Sequence, residues 1–121
     1  MTITVKSSGS QTATLDTTHT LLTTTDSGVY VLTVDIAAML VNVAASVGTG
    51  EIVELTILKK TRTGDTVRQV FSATYVAGVA PDAIVQSIPV VAPFGADFKL
   101  KQPTTTGATG RAFPWSVDQL A

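Results

Sequence analysis

Two stretches of this chain, Glu51 to Thr61 and Thr66 to Ala77, alternate apolar and polar side chains across a short turn, Arg62 to Asp65, that contains Gly64. No other feature constrains the fold as tightly. On the first arm Val53, Leu55 and Ile57 share one face, opposed by Ile52, Glu54, Thr56, Leu58 and Lys60; on the second, Val67, Phe71, Ala73 and Tyr75 share one. A period of two is that of a strand, and a slip of one residue would turn the whole apolar set into water. The pattern predicts an antiparallel hairpin with a fixed register.

The rest of the chain carries the same signature in shorter pieces, rich in the β-branched residues Thr and Val that suit a pleated surface better than a helix. Thr2 to Lys6 places Ile3 and Val5 on one face, and Ser7 to Ser10 reads as a turn. Thr12 to Leu15 and Thr20 to Thr24 read as edge strands, followed by a turn at Asp26, Ser27 and Gly28. Val29 to Val34 is apolar on both faces and should be a central strand. From Asp35 the period changes: Ile36, Met39, Leu40 and Val43 follow helical spacing behind an N-capping Asp, and a short helix that closes one end of the core competes with a further buried strand.

Gly48, Thr49 and Gly50 precede the hairpin, and a loop at Ala77 to Asp82 follows it. Ala83 to Val91 then reads as a strand placed at a sheet edge by Pro89, which has no N–H to donate. Beyond a turn at Pro93 and Gly95, Asp97 to Gln102 points Phe98 and Leu100 inward and Lys99 and Lys101 outward. A Thr- and Gly-rich loop, Pro103 to Gly110, leads to a last strand, Arg111 to Val117, with Phe113, Trp115 and Val117 on one face. Short strands separated by Gly, Pro and Asp turns predict an all-β antiparallel β-sandwich, jelly-roll-like, with at most one short helix. The 121 residues fit one domain, with an extended amino-terminal arm at 1–10.

Only 14% of the residues are charged, against about 25% in an average soluble domain. Thr, Ser, Ala and Gln must therefore form much of the surface, which suits a protein covered by neighbours as well as a Thr-rich domain that needs few charges. A net charge of −1 supplies no field for nucleic acid, and the basic residues Lys59, Lys60, Arg62 and Arg68 lie among Glu51, Glu54 and Asp65. Val29 to Val47 is interrupted by Asp35 and Asn42, so no membrane span is expected, and Met1 to Lys6 has no signal-peptide pattern, which points to synthesis in the cytoplasm.

Groups able to do chemistry are few. The absence of cysteine removes disulfides, thiolate metal sites and a cysteine nucleophile together. His19 has Asp16 as its nearest acidic neighbour in sequence, and Glu51 and Glu54 fall on opposite faces of a strand. Gly48 and Gly50 lack the Lys of a phosphate loop, and Ser8, Ser27 and Ser46 lack the elbow of a serine hydrolase. No catalytic, cofactor-binding or metal-binding residues are assigned, no cofactor is expected, and a non-enzymatic role follows.

Several segments carry a likeness in a fixed order: Gly28-Val-Tyr-Val-Leu-Thr-Val-Asp35, Glu54-Leu-Thr-Ile-Leu-Lys59, Phe71-Ser-Ala-Thr-Tyr75, Phe98-Lys-Leu-Lys-Gln102 and Gly107-Ala-Thr-Gly-Arg-Ala-Phe-Pro-Trp115. Together they resemble a family of small proteins encoded among the head and structural genes of tailed bacteriophages; Ile36 to Val47 departs from it in being longer. The resemblance implies a virion protein at the capsid surface, a decoration or cement protein on the lattice of the major capsid protein. It further implies a homo-oligomer, with a trimer favoured; the charge balance gives no reason to expect nucleic acid or a membrane as a partner. The contact elements expected are the arm, with Thr2, Ile3, Thr4, Val5 and Lys6, and the loop, with Thr104, Thr105 and Thr106. The alternatives are a glycan- or receptor-binding fibre module, for which Tyr30, Tyr75 and Trp115 are the aromatic candidates, and a head-to-tail or tail component.

Overall fold

A computed structural model describes residues 2–40, 50–78, 83–104 and 108–120. Within them the chain forms strands β1 (Ile3–Thr12), β2 (Thr18–Thr23), β3 (Gly28–Asp35), β4 (Ile52–Lys59), β5 (Arg68–Val76), β6 (Ile84–Gln86), β7 (Val90–Ala92), β8 (Ala96–Lys101) and β9 (Ala112–Leu120). One sheet has the order β1-β9-β3-β6, with β7 also paired to β3, and the other has the order β2-β8-β4-β5. All pairings are antiparallel. Apart from the β4–β5 hairpin and the β6–β7 step, each strand passes to the opposite sheet, so the chain winds around the sandwich as a jelly roll.

The core lies between the inner faces. Tyr30, Leu32 and Val34 of β3 and Phe113 and Val117 of β9 meet Val53, Leu55 and Ile57 of β4 and Phe98 and Leu100 of β8, all fully buried. Tyr30 and Phe98 meet edge to face at 5.8 Å, and the Tyr30 hydroxyl donates to the Asp26 carbonyl at 2.7 Å, so the polar end of the ring is satisfied at the rim. The hairpin forms with its two apolar faces together, Val53 opposite Tyr75, Leu55 opposite Ala73 and a bulge between Ile57 and Leu58, and its turn is closed by Arg62 on Asp65 with Gly64 at φ 85°.

Four expectations change. In place of a free arm and a turn at Ser7 to Ser10, residues 3–12 form one strand paired with β9 along its length. A bulge between Val5 and Ser7 absorbs the irregularity, and Gly9 lies opposite Trp115, whose indole would sit 3.4 Å from a Cβ there. Leu15 lies in a turn that Asp16 enters at φ 63°, so the expected strand from Thr12 to Leu15 ends at Thr12. Ala83 to Val91 is divided into β6 and β7, both on β3. Between them Pro89 cannot donate, and the Ser87 hydroxyl stands in for backbone by accepting from the Leu32 amide at 2.9 Å and donating to the Ile88 carbonyl at 2.9 Å. Among the described residues there is no helix: Asp35 accepts from the Ala37 amide at 2.8 Å, and a single turn at 36–39 buries Ile36 and Met39 at the end of the core. Val43 and the rest of the expected helix lie outside the described residues.

Candidate interaction surface

The two outer faces of the sandwich differ in chemistry. On the β2-β8-β4-β5 sheet the outward positions include Asp97, Lys99 and Lys101 of β8 and Glu54 and Thr56 of β4, with Glu54 opposite Lys101 and Thr56 opposite Lys99. The middle of that face is polar and charged, as the alternation predicts for a solvated sheet, while Val70 and Val76 on the β5 edge are exposed aliphatics.

The outer face of the other sheet carries an aliphatic row at one end, with Asp118, Ser116, Thr33, Gln86 and Asp35 over the rest of it. Pairing aligns Ile3 with Leu120, Leu120 with Val29 and Val29 with Val91, so an unbroken aliphatic row crosses β1, β9, β3 and β7. Beside it run Val5, Asp118 and Val31, the last of them buried. Ile3 is 66% exposed and Val5 and Val91 are each 59% exposed. Ile84, on the same face opposite Asp35, and Ile88, between β6 and β7, are also exposed. Isolated exposed aliphatics are ordinary, but a row aligned across neighbouring strands is the form a contact surface takes. Those on strands are placed by the same alternation that buries Tyr30, Leu32 and Val34 on the opposite side of β3.

The two expected contact segments do not converge. Ile3 pairs with Leu120 at the far end of β9, whereas the 103–110 loop enters β9 at Ala112, and a nine-residue strand separates them by roughly 30 Å. Thr2, Ile3, Thr4 and Val5 are exposed on the β1 edge; Lys6 is half-buried and paired with Asp26. Thr104 is exposed but tied down: its amide donates to Asp16 at 2.9 Å and its hydroxyl donates to the other carboxylate oxygen. Those bonds hold the Asp16 carboxyl below its usual pKa. Thr105 and Thr106 lie outside the described residues.

The far side of that loop is anchored by Glu51, which is fully buried. One carboxylate oxygen accepts from the Leu40 amide at 2.7 Å and Arg111 Nε at 2.9 Å; the other accepts from the Thr109 amide at 3.1 Å and, at 3.4 Å, Gln102 Nε2. Burial alone would raise the pKa, but the bonds from Leu40, Arg111 and Thr109 outweigh it and hold the carboxyl below the ordinary range. Gln102, also fully buried, accepts from the Arg111 amide at 2.9 Å and donates to the Thr109 carbonyl at 2.9 Å. The start of β4, the segment before residue 41 and both ends of the 103–110 loop are thus drawn to one carboxylate.

The remaining candidates are absorbed into structure. His19 Nε2 accepts from the Thr14 amide at 3.0 Å, with Nδ1 3.3 Å from Gln11 Nε2, so the ring braces the turn between β1 and β2. Tyr30 is in the core, Tyr75 is half-buried against it, and Trp115 packs on the core at the rim of a shallow depression lined by Asp35, Ile84 and Pro114. Among the described residues no group of three or more His, Asp or Glu side chains is placed to hold a metal, and no helix is long and apolar enough to cross a membrane. Comparison with protein-family models, curated proteins and solved structures finds no match to this chain.

Proposed function

We propose that the protein is a structural component of a tailed-phage virion, a decoration protein that docks on the lattice of the major capsid protein. The observation that carries this reading is the aliphatic row Ile3, Leu120, Val29 and Val91 across one end of the outer face of one sheet, set against the charged middle of the other outer face. Such asymmetry suits a domain that lies with one side on a large surface and turns the other to solvent. Jelly rolls recur in viral capsids and in lectins, which supports the reading by analogy of fold. A repeating lattice also tolerates a modest affinity per site, because identical sites are presented many times.

The test is addition of the purified protein to capsids that lack it, followed by measurement of bound copies and of particle resistance to heat. Lattice-wide binding with a gain in particle stability is expected. Val91→Asp should weaken binding by about tenfold or more, since an aliphatic contact contributes about 1.5–3 kcal/mol, and leave the melting temperature of the free protein unchanged. Absence of binding would refute the reading, and a few copies confined to a vertex, neck or fibre would replace it with a joining or attachment role.

A further inference from the structure

The edges of the two sheets are not equally protected against pairing. The edge formed by β6 and β7 is broken into two three-residue strands around Pro89, and β2 is six residues long with a bulge between Thr20 and Leu22. The β5 edge begins with Arg68 beside a bulge in its pairing with β4. Breaks, bulges and charges of this kind are how proteins blunt a sheet edge. By contrast β1 is ten residues long, contains no proline, has a single charged residue, Lys6, and has its one bulge between Val5 and Ser7, which leaves the segment Ile3 to Val5 regular. That lysine is not free to guard the edge, because its ammonium is paired with Asp26.

We infer that the amino-terminal half of β1 is the pairing edge for a second copy of this chain, with the two strands antiparallel about a two-fold axis through Thr4. In this register Thr4 faces its own counterpart, Ile3 faces the other copy's Val5, and Thr2 faces its Lys6. Ile3 and Val5 share the outer face, on which they align with Leu120 and Asp118 respectively. The aliphatic row Val91, Val29, Leu120, Ile3 therefore continues across the axis into Val5 of the second copy, where Asp118 ends it, and the two-fold axis produces the same continuation in the other direction. Residues directly opposite in an antiparallel pair share a face, so the register makes aliphatic contacts and places no like charges opposite each other. A net charge of −1 per chain offers little repulsion to oppose it. The result is an isologous dimer with one continuous sheet, in which the two aliphatic rows lie side by side at the axis.

The chain contains no cysteine, so a single introduced thiol reports on the axis without interference. Thr4→Cys should form a disulfide-linked dimer under mild oxidation, because a residue on the axis faces itself at a separation close to that of a disulfide. Ser10→Cys, on the same strand but away from the axis, should cross-link far more slowly. The unmodified protein should sediment as a dimer in the micromolar range, and Val5→Lys as a monomer with an unchanged far-ultraviolet circular dichroism spectrum. A monomeric or trimeric wild-type protein, or equal cross-linking at positions 4 and 10, would overturn the inference. Capsids take no part in these measurements, so this inference and the virion reading stand or fall separately.

Discussion

Replacing Glu51 by Gln keeps the shape of the side chain and removes what makes it an anchor. Both carboxylate oxygens face N–H donors: the Leu40 amide and Arg111 Nε on one, the Thr109 amide and Gln102 Nε2 on the other. An amide has one oxygen, so its NH2 group must point at two of these donors and leave them unpaired in a buried site. Each unsatisfied buried donor costs about 1–3 kcal/mol, and the loss of charge weakens the bond to Arg111 as well. The expected destabilisation is about 3 kcal/mol, within the range for breaking a buried charged network. With a urea m-value of about 1–3 kcal/mol/M, the unfolding midpoint should fall by about 1–3 M with the slope unchanged. The gap should also depend on pH. The folded-state pKa of Glu51 is depressed below the ordinary glutamate value of 4.5, so the carboxylate contributes stability that is present above about 4.5 and lost as pH falls through the folded pKa. Urea curves of the two proteins should therefore differ most at neutral pH and converge in acid. A Glu51→Gln protein within about 0.5 kcal/mol of wild type at pH 7 would refute the account of this site as a charged anchor.

Two further substitutions test the frame around the sheets. Gly95 has φ 83°, and a Cβ there would lie 2.0 Å from the Thr24 carbonyl oxygen, so Gly95→Ala should cost more than about 2 kcal/mol and lower the melting temperature measured by calorimetry by several degrees. Ser87→Ala leaves the buried Leu32 amide without its acceptor and should cost about 1–3 kcal/mol, with hydrogen exchange at Leu32 accelerated relative to its neighbours.

The local half of the fold was legible in the sequence because a strand exposes its two faces alternately, and that alternation is a local property. Val53, Leu55 and Ile57, Phe98 and Leu100, and Phe113 and Val117 all point inward as their spacing predicts, and the hairpin through Gly64 brings its two apolar faces together. Alternation also placed Ile3 and Val5 together, but it could not say that Leu120, Val29 and Val91 would extend them into a row. That depends on which strands are neighbours, and each apolar stripe fits many partners equally well. The jelly-roll order, with β9 inserted between β1 and β3, is decided by how both inner faces can be covered at once. Gly9 read as a turn because its local chemistry permits one, and only the Trp115 ring across the strand pair explains a glycine within β1. Glu51 gave no signal of its burial: its partners Leu40, Gln102, Thr109 and Arg111 come from chain segments up to 60 residues away, and a buried carboxylate is tolerable only where such donors converge.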